Sequence, residues 1–371
     1  MIFAVEQTVR AQPRAAHVNL RALPAADNRV GIWHAPAVIA ENNFIYKSLS
    51  NWAFNIAVGC SHACRFCYVP SAATIKQGSK LAEYGVEDPD AEWGNYVLLR
   101  PWDEDKFLSS LRAAEGTWRS QLKPDGNRAV IYCSTTDPYQ VIRHPDPERQ
   151  RELAAHARFI VRRSLELIRD CSTLNVRILT RSPLARADFD LFQSFGSRLV
   201  FGMSLPTLRN DLSKIYEPKA PAPSQRLATL QAAKEAGLHV YVAVAPTYPE
   251  CDETDLRATL EAVAKLEPIT IFHEPINIRA ENVERIESQA ESLGLVLKTD
   301  VFETRERWQD YAVNALQTVE RLADELGIAD QLHLWPDKSL GNEAMASRLP
   351  KPKEHQRWLN KWWGRVSEWP K

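Results

Sequence analysis

Residues Gly59–Tyr68, GCSHACRFCY, set three cysteines at the spacing Cys-x3-Cys-x2-Cys, and this stretch decides how the rest of the chain is read. Soft thiolates suit iron–sulfur clusters, and a loop this short can wrap one corner of a four-iron four-sulfur cube. Cys60, Cys64 and Cys67 can then each ligate a different iron. The fourth iron is left without a protein ligand. A structural zinc site would want four ligands, usually as two separated pairs, and the nearest fourth donor is His62 inside the loop. Cys133, Cys171 and Cys251 lie far apart and make no second Cys-x-x-Cys pair, so one cluster and no auxiliary cluster is expected.

Composition bounds what surrounds this loop. The chain has 371 residues, 44% of them hydrophobic and 25% charged, enough for one large α/β domain with appendages. A net charge of -1 offers no global attraction to nucleic acid or an anionic membrane, so any polyanion site has to be a local patch. Exposed clusters are oxygen-labile and disulfides would sequester the thiols, which points to a reducing cytoplasm. The start MIFAVEQTVR has no long apolar run, and no stretch of membrane-spanning length follows.

Short β-branched runs alternate with amphipathic stretches. Strands are expected at 54–58, 129–133, 176–180, 199–204, 239–245 and 270–273, with helices near 104–122, 149–169, 224–236 and 254–266. Right-handed crossovers would curl six such units into a partial (β/α)6 barrel, with chemistry at the C-terminal strand ends. This divides the chain into an irregular N-terminal arm at 1–50, the partial barrel at 51–275 and a helical C-terminal extension at 276–371.

The strand ends carry unusual residues. After the second strand, CSTTDPYQ offers the hydroxyls of Ser134, Thr135 and Thr136, which suit an ammonium group or cap a turn. After the third, LTRSP places Arg181 where it can pair with a carboxylate bidentately or sit solvated on the surface. Ser204 ends the fourth strand and can meet ribose hydroxyls or form a turn. Ala245 precedes Pro246, which stops the ladder and frees backbone groups for an adenine edge. After the sixth, His273, Glu274, Asn277 and Arg279 cluster in HEPINIRAEN, a grouping that favours substrate binding.

The combination of GCSHACRFCY, STTDPYQ, LTRSP, SLPT, YEPKAP before Arg226, and VAVAP resembles the spore photoproduct lyase-like group of the radical S-adenosylmethionine (SAM) superfamily over about residues 45–275. The resemblance implies a [4Fe-4S] cluster on Cys60, Cys64 and Cys67, with SAM chelating the open iron. SAM would be cleaved reductively, and a hydrogen atom abstracted from a bound substrate. It implies SAM contacts from Tyr68, Ser134, Thr135, Thr136, Arg181, Ser204 and Ala245, with Arg181 replacing the group's lysine. It implies catalytic or substrate-holding roles for Cys133, Tyr139, His273 and Glu274. The group's hydrogen-donor cysteine position holds Ser134 here, with Cys133 one residue earlier; strand side chains alternate faces, so that offset turns Cys133 away unless the strand end bulges. A reductant such as flavodoxin or ferredoxin and a monomeric state go with this reading. Two alternatives stay open, a nucleic-acid photoproduct lyase and a non-enzymatic iron–sulfur protein.

From Arg348 to Lys371 there are seven Lys or Arg against two Glu, with Trp358, Trp362, Trp363 and Trp369 interleaved. A helix here would put indoles on one face and charges beside them. It could dock on the barrel, lie on a membrane surface, or stack on unpaired bases with phosphate contacts.

Overall fold

A computed structural model describes residues 29–42, 49–279 and 281–370. In chain order the strands are β1 (Val30–Ile32), β2 (Ile39–Glu41), β3 (Trp52–Phe54), β4 (Ala57–Gly59), β5 (Val97–Leu99), β6 (Ala129–Tyr132), β7 (Asn175–Thr180), β8 (Leu199–Ser204), β9 (His239–Thr247), β10 (Ile271–Pro275) and β11 (Leu332–Leu334). An eight-stranded sheet runs β11-β10-β9-β8-β7-β6-β3-β2. Its neighbours are parallel except for the edge pair β2 and β3. Among the described residues no pairing joins β2 to β11, so the sheet is an open, partial barrel.

Helices cross between the parallel strands, and their starts are set by local chemistry. Asp146 accepts from the backbone N–H groups of Glu148 and Arg149, with Pro147 in the first turn, to begin Pro147–Cys171. Asp252 caps Glu253–Ala264 and Thr304 caps Arg305–Glu325 in the same way. Helix Pro223–Glu235 stops before Gly237, whose φ of 76° releases the chain into β9.

Three boundaries differ from those expected. The run at 54–58 splits: β3 stays in the main sheet, while β4 pairs antiparallel with β5 in a separate sheet ordered β1-β5-β4. The Asn55 side chain is drawn to the loop after β6, donating to Ser134 Oγ at 3.3 Å and accepting from the Thr135 N–H at 2.9 Å, which breaks the strand. Residues 29–42, read as irregular, supply β1 and β2; 1–28 and 43–48 of that arm lie outside the described residues. The C-terminal extension adds β11 to the main sheet, in register with β10.

The helix-facing side of the sheet buries Val130, Tyr132, Ile178, Phe201 and Val242 in one core with helical residues such as Leu153 and Ile160. The other side carries Val200, Tyr241, Ala243, Ala245, Phe272 and Trp335. Arg177, fully buried, stacks there over Tyr241 and Trp369 at 5.0 Å and Phe272 at 5.6 Å.

These contacts settle the tail. In and after helix Pro352–Trp363, Trp362 is buried, Trp358 Nε1 donates to Glu320 at 2.5 Å, Trp363 Nε1 to the Pro336 carbonyl at 2.8 Å and Trp369 Nε1 to the Ser197 carbonyl at 2.9 Å. Lys361 pairs with Glu320 at 2.8 Å. The indoles are thus committed to contacts within the protein, as the docking reading expects, with Trp369 reaching the segment just before β8. No helix among the described residues is long and apolar enough to cross a membrane.

Candidate functional site

β4 delivers the chain to Gly59, whose φ is 89° and where a Cβ would lie 2.3 Å from the Tyr96 carbonyl oxygen, so only glycine makes this turn without strain. The loop that follows buries Cys60 and Cys64 and half-buries Cys67, all as free thiols. Backbone bonds tie it down: Arg65 N–H to the Tyr216 carbonyl at 2.9 Å and Lys219 N–H to the His62 carbonyl at 3.3 Å. Helix Asn282–Ser292, part of the extension, grips it from above. Asn282 Nδ2 donates to the Phe66 carbonyl at 3.2 Å, Arg285 Nε to the Arg65 carbonyl at 3.2 Å, and the Arg285 guanidinium also reaches the Cys67 carbonyl and pairs with buried Asp90.

Among the described residues no three Cys, His, Asp or Glu side chains converge on a point that would hold a single metal ion. His62, the nearest fourth donor for a zinc site, is instead turned to Asp137 at 3.1 Å. The three thiols fit a cluster, which spreads its ligands over separate irons. Burial, then Asp137 and Cys64, push the Cys60 thiol up, and burial pushes Cys64 up to about 12. Such thiols lose their protons to metal coordination rather than to bulk water.

Asp137, buried after β6, joins the loop to the strand ends. Its carboxylate accepts from the Tyr139 N–H at 2.8 Å, Thr180 Oγ1 at 2.7 Å and the Arg181 N–H at 2.8 Å, beside His62. Burial opposes its ionisation, but His62 and these donors outweigh that and hold its pKa below the usual range. Thr136 Oγ1 donates to the Gly59 carbonyl at 2.6 Å and accepts from Gln140 Nε2 at 2.7 Å; Gln140 Oε1 in turn accepts from the Ser61 N–H at 2.7 Å. Tyr68 Oη donates to the Ser134 carbonyl at 3.1 Å. Tyr68, Ser134, Thr135 and Thr136 thus meet at the cysteine loop.

Arg181 joins them from β7. Its guanidinium lies 5.7 Å from the Phe66 ring, and Nε donates to Glu217 Oε1 at 2.5 Å. Glu217 is fully buried and also pairs with fully buried Arg226 at 2.6 Å. Burial raises the Glu217 pKa, but Arg226 and Arg181 overcome it and hold the carboxyl at about 2. Arg226 Nη1 also donates to the Ser204 carbonyl at 3.1 Å, fixing the end of β8. Two guanidinium groups against one carboxylate leave a net positive charge beside Cys64. Ala245 lies buried in β9 just before Pro246.

Of the four expected catalytic residues, His273, Tyr139 and Cys133 have their side chains committed elsewhere. The His273 side chain is fully buried, with Nδ1 2.8 Å from the Val244 carbonyl and the Thr247 hydroxyl 3.3 Å from Nε2: it is a core histidine and not a group at the mouth. Tyr139 Oη donates to Asp188 at 2.9 Å, an acid held by Arg162 of the Pro147–Cys171 helix, so its hydroxyl is committed to the helical layer. Cys133 is buried in the core shared with the helices, its thiol against the Ile56 backbone. Glu274 is half-buried and accepts from Asn277 Nδ2 at 3.1 Å. Arg279, grouped with them, pairs with Asp337 at 2.5 Å.

Burial pushes the His273 imidazole down to about 4 from 6.5, despite hydrogen bonds with the Val244 and Ala315 backbone. The unfolded chain therefore binds a proton between those values that the folded chain does not. The stabilising effect is complete above about pH 6.5 and is lost as pH falls towards 4, at about 1.4 kcal/mol per pH unit. Urea titrations across pH 4–7 should show this slope, reduced in His273→Gln; an identical slope in that variant would place the titration elsewhere.

No family model matches the chain. The uncharacterized protein ORF301 of Acidianus two-tailed virus is 32% identical over 258 residues, covering 67% of this chain and 75% of the viral protein. The chain belongs to the family of that protein. The uncharacterized protein MJ0683 of Methanocaldococcus jannaschii is 24% identical over 234 residues, 62% of this chain and 72% of that protein. Among solved structures, spore photoproduct lyase complexed with dinucleoside spore photoproduct superposes with a TM-score of 0.57 at 13% identity, covering 85% of this chain and 87% of the lyase. The chain described here therefore has the fold of spore photoproduct lyase.

Several residues of the site were not assigned from sequence: His62, Asp137, Gln140, Glu217, Asn282 and Arg285. All but Arg285 lay inside motifs visible in the sequence, His62 in GCSHACRFCY, Asp137 and Gln140 in STTDPYQ, Glu217 in YEPKAP and Asn282 in HEPINIRAEN.

Proposed function

We propose that this chain is a radical SAM enzyme that abstracts a hydrogen atom from a substrate yet to be identified. One observation carries the reading: three free thiols, two of them buried, lie beside two arginines that share one buried carboxylate and leave a net positive charge, at the C-terminal ends of a parallel sheet. Cys60, Cys64 and Cys67 would hold a [4Fe-4S] cluster, which when bound supplies the electron for reductive SAM cleavage. Arg181 would meet the SAM carboxylate, with Glu217 fixing the plane of its guanidinium and Arg226 balancing Glu217. Ser134, Thr135, Thr136 and Tyr68 would frame the methionyl ammonium, Ser204 the ribose and the backbone at Ala245 the adenine. A reductant such as flavodoxin or ferredoxin, a reducing cytoplasm and a monomer belong to this reading.

The lesion-lyase alternative needs a hydrogen donor at the mouth, and Cys133 is buried with its thiol against the Ile56 backbone, which counts against that role. Cluster-loaded protein given dithionite, SAM, and metabolite and oligonucleotide pools should form 5'-deoxyadenosine, with deuterium from the true substrate appearing in it. Absence of 5'-deoxyadenosine from fully loaded protein would overturn the proposal. Reversal of dimers in ultraviolet-irradiated DNA, lost in Cys133→Ala, would instead establish the lyase.

A further inference from the structure

A cleft of about 560 Å³ opens on the flank of the cysteine loop, between it, the β1-β5-β4 sheet and the loops after β6 and β8. Its volume is in the range of small-ligand sites. Val30 and Val97 form an apolar wall, and Ser61, Asn95, Arg143 and Lys219 supply the polar groups. None of the residues lining it is acidic.

Lys219 is held in place, its Nζ donating to the Gly94 carbonyl at 2.9 Å and to Asn95 Oδ1 at 3.1 Å, both neutral acceptors. After burial, the groups that depress the Lys219 pKa are Arg65 and Arg143, so three cations act on one another here. Arg65 donates to the neutral Gln289 at 3.0 Å. A concavity lined by one sign of charge focuses its field on whatever enters it. Ser61 gives the second, independent observation. Ser61 is only 6% exposed and is one of the residues lining the cleft, and its hydroxyl is buried without a hydrogen-bond partner. A buried hydroxyl left unpaired is unfavourable unless a ligand satisfies it.

We infer that this cleft binds the phosphate group of a phosphorylated small molecule, with Lys219 and Arg143 neutralising the oxyanion, the Ser61 hydroxyl donating to it, and Val30 and Val97 packing on the organic part. None of the residues proposed to hold SAM lines the cleft, and binding there needs no cluster. The site therefore stands apart from the proposed activity, and the two can fail separately.

Calorimetric titration of the cluster-loaded protein with inorganic pyrophosphate, and with adenosine 5'-monophosphate as an organic phosphate, tests this. Saturable binding is expected, weakened on the order of tenfold or more in Lys219→Gln with Arg143→Gln, and weakened in Ser61→Ala. Thermal midpoints report whether the variants fold, and the SAM-induced spectral change in the same samples reports the proposed activity independently. Equal affinity in folded variants, or no saturable binding by wild type, overturns the inference. Tighter binding of a single-stranded oligonucleotide than of either small phosphate, with a steep salt dependence, overturns the small-molecule assignment.

Discussion

Cys64→Ala should abolish both the four-iron cluster and the change that SAM makes in its reduced electron-spin spectrum. Cys64 is the middle ligand of the loop and lies 6% exposed beside Arg181, so no water or neighbouring acid can replace its sulfur. With Cys60 and Cys67 alone, half of the cube's irons lack a protein ligand. The substitution removes one small buried group and should cost the apoprotein about 1 kcal/mol. Iron content near zero in a variant whose apoprotein unfolds close to the wild-type midpoint is the expected result. Wild-type iron in Cys64→Ala would show that another group is the third ligand.

Arg181→Ala should weaken SAM binding by about 2 to 5 kcal/mol, roughly thirtyfold to several-thousandfold, with the cluster retained. The charge count gives the reason. Glu217 keeps its fully buried partner Arg226 at 2.6 Å, so the variant retains a neutral pair and should fold. What disappears is the surplus positive charge that a carboxylate would meet. Arg181→Lys should recover part of the affinity, since it restores the charge without the fork that Glu217 orients. Arg226→Ala is the contrasting control, because it strips Glu217 of its more buried partner and should destabilise the fold by about 3 to 5 kcal/mol. Equilibrium titration of SAM into anaerobic protein checks the series; unchanged affinity in Arg181→Ala would show that the guanidinium serves only Glu217.

The central strands were legible in the sequence because β7, β8 and β9 are almost wholly buried, so their apolar runs record the sheet directly. β11 was not legible: Leu332–Leu334 is short, followed by Trp335 and Pro336, and becomes a strand only through its pairing with β10. The break at Asn55 was equally hidden, since it depends on Ser134 and Thr135, some eighty residues away. His273 could have been placed by parity. Ile271 lies in the helix-side core and Phe272 on the other face, which puts His273 with the helices and Glu274 with the mouth. Cys133 follows the end of β6 at Tyr132 and enters the same core, so it is turned away from the mouth as its offset from Ser134 implied. The cysteine loop itself was legible as chemistry, while its supports, Asp137 with His62 and Asn282 with Arg285, are contacts between distant segments that no local pattern announces.

The most direct test is the metal content and reduced electron-spin spectrum of anaerobically isolated wild-type protein, recorded with and without SAM. Four irons per chain and a spectrum that shifts on adding SAM are expected from three thiol ligands and one open iron. Stoichiometric zinc without iron, or a four-iron spectrum indifferent to SAM, would contradict the assignment.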